Sequence, residues 1–88
     1  MRQSLRIVNV KGLHARASAK LVELVEAYDA EAVVRRDGLE AAGSSIMGLL
    51  MLAAAHGSTI EVETTGAEAE ALGAAIARLV ADRFGEEG

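Results

Sequence analysis

The hydrophobic spacing of this 88-residue chain alternates between a period of two and a period near 3.6, and that alternation leaves few folds open. Leu5, Ile7 and Asn9 alternate with Arg6 and Val8, which predicts a first strand with one buried face, ended by Gly12. From Ala17 the spacing becomes helical. Ala17, Leu21, Leu24, Val25 and Tyr28 share a stripe, and Arg16, Lys20, Glu23 and Glu26 lie off it. Ala32-Val33-Val34-Arg35-Arg36 has strand composition, and Asp37-Gly38 predicts a two-residue type I′ turn, whose centres both need positive φ. Leu39 to Ala42 is then the return strand. Gly43-Ser44-Ser45 offers capping oxygens to a short apolar helix from Ile46 to Ala53, and Gly57 predicts its stop. Ile60, Val62 and Thr64 alternate with Glu61 and Glu63 in a fourth strand that Gly66 breaks. The last helix is predicted over Ala67 to Arg83, with Leu72, Ile76, Leu79 and Val80 as its stripe, and the tail Gly85-Glu86-Glu87-Gly88 is expected to fray.

The order β-α-β-β-α-β-α implies an α+β fold: a two-layer open-faced sandwich with three helices on one face of a four-stranded antiparallel sheet. A right-handed crossover leaves a gap that the fourth strand fills, giving strand order 1-4-2-3. A chain of this length is expected to be one domain over residues 1–88, built around one core. With no cysteine, that core must hold by packing alone. The first residues lack the apolar run of a signal peptide and no stretch is long enough to span a bilayer, so a cytoplasmic protein without membrane insertion is expected. The net charge of −4, with Tyr28 and Phe84 as the only aromatic residues, argues against nucleic-acid binding.

Chemistry concentrates in Gly12-Leu13-His14-Ala15-Arg16-Ala17, where the strand pattern gives way to the helix pattern. A helix start has unpaired N–H groups and partial positive charge, so it suits an anion, and here the backbone of Ala15 and Ala17 would supply donors. Arg16 adds a planar set of donors that fits phosphate oxygens. His14 adds a nucleophilic ring nitrogen. The second histidine, His56, reads as a structural residue capping carbonyls at the end of the second helix, beside Gly57. The two histidines lie in different elements with no carboxylate at ligand spacing, so no metal and no cofactor is expected. Glu61 and Glu63 read as a solvated strand face.

The second helix is apolar nearly all round. Leu49, Leu52 and Ala53 group on one side, and Ile46, Met47 and Leu50 on another, which predicts an exposed apolar patch for docking partners. Ser45 is at minimum an N-cap candidate. On the residues alone, a small α/β module that binds a partner without phosphorylation, and an acyl-phosphate hydrolase on a similar two-layer fold, remain as alternatives to a phosphoryl carrier.

Two separated segments, Gly12-Leu13-His14-Ala15-Arg16 and Ser45-Ile46-Met47-Gly48-Leu49, resemble the active-site and regulatory-serine motifs of one family. That family is the histidine-containing phosphocarrier protein HPr of the phosphoenolpyruvate-dependent phosphotransferase system. The spacing of the segments and the element order match it over nearly the whole chain. The resemblance implies a carrier, not an enzyme with free substrates: His14 takes a phosphoryl group on Nδ1 from phosphorylated enzyme I and passes it to the A component of a permease or a regulatory phosphotransferase. Arg16 would stabilise the group in transfer, and Ile46, Met47 and Leu50 would seat both partners. Ser45 corresponds to the serine modified by HPr kinase/phosphorylase in bacteria that have that enzyme, and the carrier is expected to be a monomer. The chain departs from the family at Ala17, where proline is usual. Alanine restores an amide donor and loosens the backbone, which bears on transfer rate and on the choice between sugar uptake and a regulatory, nitrogen-type chain.

Overall fold

The computed structural model describes residues 1–88. The elements run β1 (Arg2–Arg6), α1 (Ala15–Glu26), β2 (Glu31–Arg36), β3 (Leu39–Ala42), α2 (Ile46–Met51), β4 (Thr59–Thr65) and α3 (Ala69–Ala81), closed by a 3₁₀ turn at Arg83–Gly85. All strand pairs are antiparallel, in the order β1-β4-β2-β3, as the sequence predicts. Alternation puts Ile60, Val62 and Thr64 of β4 on the buried face, where Leu5 stands opposite Ile60, Val34 opposite Val62 and Ala32 opposite Thr64. Leu21 and Val25 of α1, Leu49 of α2, and Leu72, Ile76 and Val80 of α3 complete one continuous core against that face. The open face carries charge: Glu63 Oε1 accepts from Arg2 Nη2 (3.1 Å) and Arg35 Nη1 (2.9 Å), and Arg35 Nε donates to Glu40 (2.8 Å). Those bonds, that from Arg35 foremost, lower the pKa of the Glu63 carboxyl. Glu61 and Glu63 are thus a solvated strand face and not a catalytic carboxylate pair.

The β2–β3 turn behaves as its sequence demands, with φ of 48° at Asp37 and 80° at Gly38. Other boundaries move. β1 ends at Arg6, earlier than its alternation suggests, yet Ile7 and Asn9 stay fully buried because the chain continues extended. Ile7 still exchanges backbone bonds with the segment before β4, through Ile7 N to Ser58 O and Gly57 N to Ile7 O, each 2.8 Å. α1 starts at Ala15, two residues ahead of the predicted start.

The end of α2 differs from expectation for a packing reason. The helix stops at Met51, not Ala53, and Gly57 is not its terminator: Ala53 adopts φ 51°, between the buried side chains of Leu52 and Ala54. The turned chain lays Ala54 O on the Leu13 N–H at 2.8 Å and Leu52 O on Arg36 Nη1 at 3.0 Å. His56 therefore lies beyond the helix in an exposed turn, with no side-chain hydrogen bond, and does not cap helix carbonyls.

Correction is also needed at the C-terminus. α3 ends at Ala81, and Arg83, Phe84 and Gly85 follow with φ of 56°, 54° and 77°. The Phe84 side chain is fully buried in the core, and Lys20 Nζ of α1 donates to Phe84 O at 2.6 Å. Phe84 turns the chain back across the molecule, so the tail is held through Glu86, and only Glu87 and Gly88 are left exposed without hydrogen bonds.

Candidate functional site

The turn ahead of α1 is built around a buried amide. Asn9 is fully buried, and its Nδ2 donates to Gly12 O at 2.8 Å, closing the loop that delivers His14 to the helix start. Gly12 is required there: its φ is +68°, and a Cβ would stand 2.5 Å from Ala54 O. His14 takes the N-cap position of α1 with extended backbone (φ −76°, ψ −176°), but its side chain caps nothing. The first helical bond, Ser18 N to His14 O at 2.8 Å, leaves the N–H groups of Ala15, Arg16 and Ala17 without intrahelical acceptors. Ser18 is buried and satisfied, its hydroxyl donating to Leu13 O at 3.2 Å.

The His14 ring is engaged on one side only. Its Nε2 hydrogen-bonds Glu86 Oε2, and Nδ1 has no protein partner. The other carboxylate oxygen, Glu86 Oε1, accepts from Asn9 Nδ2 at 2.9 Å. The Asn9 bond first and the His14 bond second lower the Glu86 carboxyl below its usual range; burial opposes them, and the charge of Lys11 adds to the lowering. Asn9 Oδ1 is left buried without a partner, so the amide is held by its nitrogen alone, between the Gly12 turn and the tail. His14 keeps 27% of its side-chain surface, enough for an incoming group to reach the ring.

Val10, Lys11, His14, Arg16, Glu86, Glu87 and Gly88 line a depression of about 340 Å³ at this helix start. Arg16 is exposed and its guanidinium has no protein partner. A ring with an unpartnered Nδ1, a guanidinium without a protein partner and a lysine thus line a space open to solvent at the start of α1. That set can receive an anion and stabilise it as charge moves. No group of three or more metal-ligating side chains is present.

The sequence singles out His14 and Arg16, which the structure brings together at this helix start, and does not single out Asn9 and Glu86, which adjoin them. A polar residue in the buried register of Leu5 and Ile7 was the signal for Asn9. Glu86 had none of its own, and only the single Phe ahead of it hinted at an anchor.

α2 supplies the second feature. Ser45 is its N-cap, the hydroxyl accepting from Gly48 N at 3.0 Å. Leu49 and Leu52 face the core, whereas Ala53 is exposed, so the buried side is narrower than predicted. The exposed patch consists of Ile46, Met47 and Met51, with Leu50 half-buried at its edge. Met51, 74% exposed, was missed although it stands one helical turn after Met47. α1 and α2 pack against each other, so patch and site belong to adjoining helices.

Comparison with known proteins agrees over the whole fold. The family model described as "PTS HPr component phosphorylation site" matches residues 1–82. Phosphocarrier protein HPr of Neisseria meningitidis serogroup B is 47% identical over 98% of this chain and 97% of that protein. Phosphocarrier protein NPr of Escherichia coli K12 is 43% identical over 99% of this chain and 98% of that protein. Among solved structures, HPr from Thermoanaerobacter tengcongensis superimposes with a TM-score of 0.94 at 28% identity, covering 100% of this chain and 99% of the other. No helix is long and apolar enough to cross a membrane. The chain belongs to the HPr family of phosphocarrier proteins of the phosphotransferase system.

Proposed function

We propose that the chain is a cytoplasmic, monomeric phosphoryl carrier whose His14 Nδ1 accepts the group from phosphorylated enzyme I and yields it to the A component of a permease or a regulatory phosphotransferase. The observation that supports this most is the division of the His14 ring: Nε2 is bound to Glu86, and Nδ1 is free beside the open helix start. On loading, the Nδ1 lone pair forms the N–P bond while the donor's bond to phosphorus breaks and its electron pair stays with the donor; on delivery, the acceptor's lone pair forms the new bond to phosphorus while the N–P bond breaks and its electron pair returns to Nδ1. The Arg16 guanidinium and the N–H groups of Ala15 and Ala17 stabilise the phosphoryl oxygens. Positioning and charge stabilisation carry such an exchange, and the protein consumes no free substrate of its own.

Ile46, Met47 and Leu50, extended by Met51, seat the donor and the acceptor in turn, and a patch of this size suits contacts that must release quickly. Ser45 is the candidate for regulatory modification by HPr kinase/phosphorylase. A phosphate on its hydroxyl replaces the neutral cap and puts negative charge beside the docking patch. The Ala17 backbone N–H, absent where the family has proline, bears on the transfer rate and on the choice between sugar uptake and a regulatory, nitrogen-type chain.

The direct test incubates the protein with phosphoenolpyruvate and enzyme I. One acid-labile phosphoryl group per chain is expected, and His14→Ala removes it. Phosphorylation that persists in His14→Ala contradicts the assignment, and partner binding indifferent to phosphorylation and to His14 favours a plain binding module.

A further inference from the structure

We propose that Arg36 is a positioning residue for partner docking: from the β2–β3 hairpin its guanidinium holds the carbonyl that closes α2, and so sets where the exposed face of Met47 and Met51 stands relative to the loop of His14. The inference rests on the docking role of α2 in the phosphocarrier reading and adds a residue on which that surface depends.

α2 cannot fix its own end. The helix has six residues, and no Asp, Glu, Lys or Arg occurs between Glu40 and Glu61, so it has no basic side chain of its own to meet its C-terminal carbonyls. Its start is closed by the Ser45 hydroxyl, and its middle lies close on β3 at Gly48, where a Cβ would stand 3.1 Å from the Cβ of Ala41. At the other end the Leu52 carbonyl takes no backbone hydrogen bond and accepts instead from Arg36 Nη1 at 3.0 Å. A second contact, Arg36 Nη2 to Asp37 Oδ2 at 3.5 Å, aims the guanidinium from within the hairpin turn. The cation that α2 lacks is thus supplied by β2.

What the bond secures is a strained turn. Ala53, the next residue, has φ 51°, a left-handed conformation that is costly for any residue with a Cβ and that glycine adopts freely. One residue further, Ala54 O accepts from Leu13 N at 2.8 Å, and Leu13 directly precedes His14. The turn therefore lies between two bonds, Arg36 to Leu52 on the side of the docking helix and Leu13 to Ala54 on the side of the reacting histidine. Relaxation of Ala53 to ordinary backbone shifts one against the other, and with them Met51 against the loop that presents His14. A partner must touch the patch and reach His14 at once, so it binds the chain in which this turn is formed. When only a fraction of the chains has the turn, the apparent affinity falls by that fraction, while the bound complex transfers at the same rate.

Arg36→Met, which removes the donor and keeps the apolar stem, tests this in the full chain. Transfer from phosphorylated enzyme I is measured for kcat and KM, and amide exchange is followed at Leu13. Arg36→Met is expected to raise KM roughly twofold or more with kcat unchanged, and to speed exchange of the Leu13 amide about fivefold, the factor for one lost hydrogen bond of about 1 kcal/mol. Adding Ala53→Gly to Arg36→Met removes the strain from the turn and should return both values toward those of the parent. Gln3→Met loses a bond of the same kind, to Gly73 O at 2.8 Å between β1 and α3, and should leave KM unchanged. KM unchanged in Arg36→Met, raised equally in Gln3→Met, or not restored by Ala53→Gly overturns the role of Arg36 while phosphorylation of His14 stands. An unchanged KM in Met47→Ser and in Met51→Ser overturns docking at α2 itself, and absence of any phosphoryl group on His14 in the parent protein overturns the carrier reading.

Discussion

Phe84→Ala tests whether the C-terminal turn is part of the core. The side chain is fully buried in the core, in a turn packed against α3, and its removal leaves a cavity there. A buried Phe→Ala change costs about 3–5 kcal/mol, the sum of lost transfer energy and the cavity left behind. In a domain of this size each kcal/mol moves Tm by roughly 4–8 °C, so the midpoint should fall by about 12 °C or more. Phe84→Gly supplies an internal control. In ordinary backbone glycine is the less stable choice by about 0.5–1 kcal/mol. At the φ of 54° found here, alanine bears a left-handed cost of about 1–2 kcal/mol that glycine escapes. The order should therefore invert, with Phe84→Gly the milder change. Urea unfolding with paired fluorescence-independent probes, such as far-UV circular dichroism and amide exchange, measures both variants. A loss under about 1 kcal/mol, as expected of an exposed site, or the ordinary Ala-over-Gly order, would refute the argument for a tail anchored by Phe84.

Other substitutions probe the loop, the cap and the carboxylates. Gly12→Ala forces a Cβ to 2.5 Å from Ala54 O at positive φ and should cost about 2 kcal/mol or more, read by urea unfolding. Ser45→Ala removes the acceptor for Gly48 N and should cost about 1 kcal/mol, with amide exchange fastest in the first turn of α2. Glu63 and Glu86 both have folded pKa values below their ordinary 4.5. The stability they lend is complete above that value and is lost as pH falls through the lowered folded values. Unfolding measured from pH 7 to pH 3 should therefore show a decline confined to the acid side, shallower in Glu86→Gln; an identical slope contradicts the Glu86 bonding.

What was legible in the sequence had local causes. Asp37-Gly38 specifies its own turn, the alternation of Ile60, Val62 and Thr64 specifies its own face, and His14 with Arg16 falls where strand period becomes helix period. What was not legible depends on distant contacts. The end of α2 is set by Ala54 meeting Leu13, and the fate of the tail by Phe84 entering a core assembled from every other element. The bond between His14 and Glu86 joins residues 72 positions apart, and the composition of Gly85-Glu86-Glu87-Gly88 suggests only a solvated end. The exposed apolar patch was legible at Ile46 and Met47, and it extends to Met51 because the early stop of α2 leaves that residue at its exposed end.

The central claim is that His14 Nδ1 carries the phosphoryl group, and ³¹P and ¹⁵N spectroscopy of the protein charged by enzyme I and phosphoenolpyruvate tests it most directly. A single acid-labile phosphoryl group on Nδ1 of His14, with the proton still on Nε2, is the predicted result. A group on Nε2, on another residue, or stable to acid would contradict it.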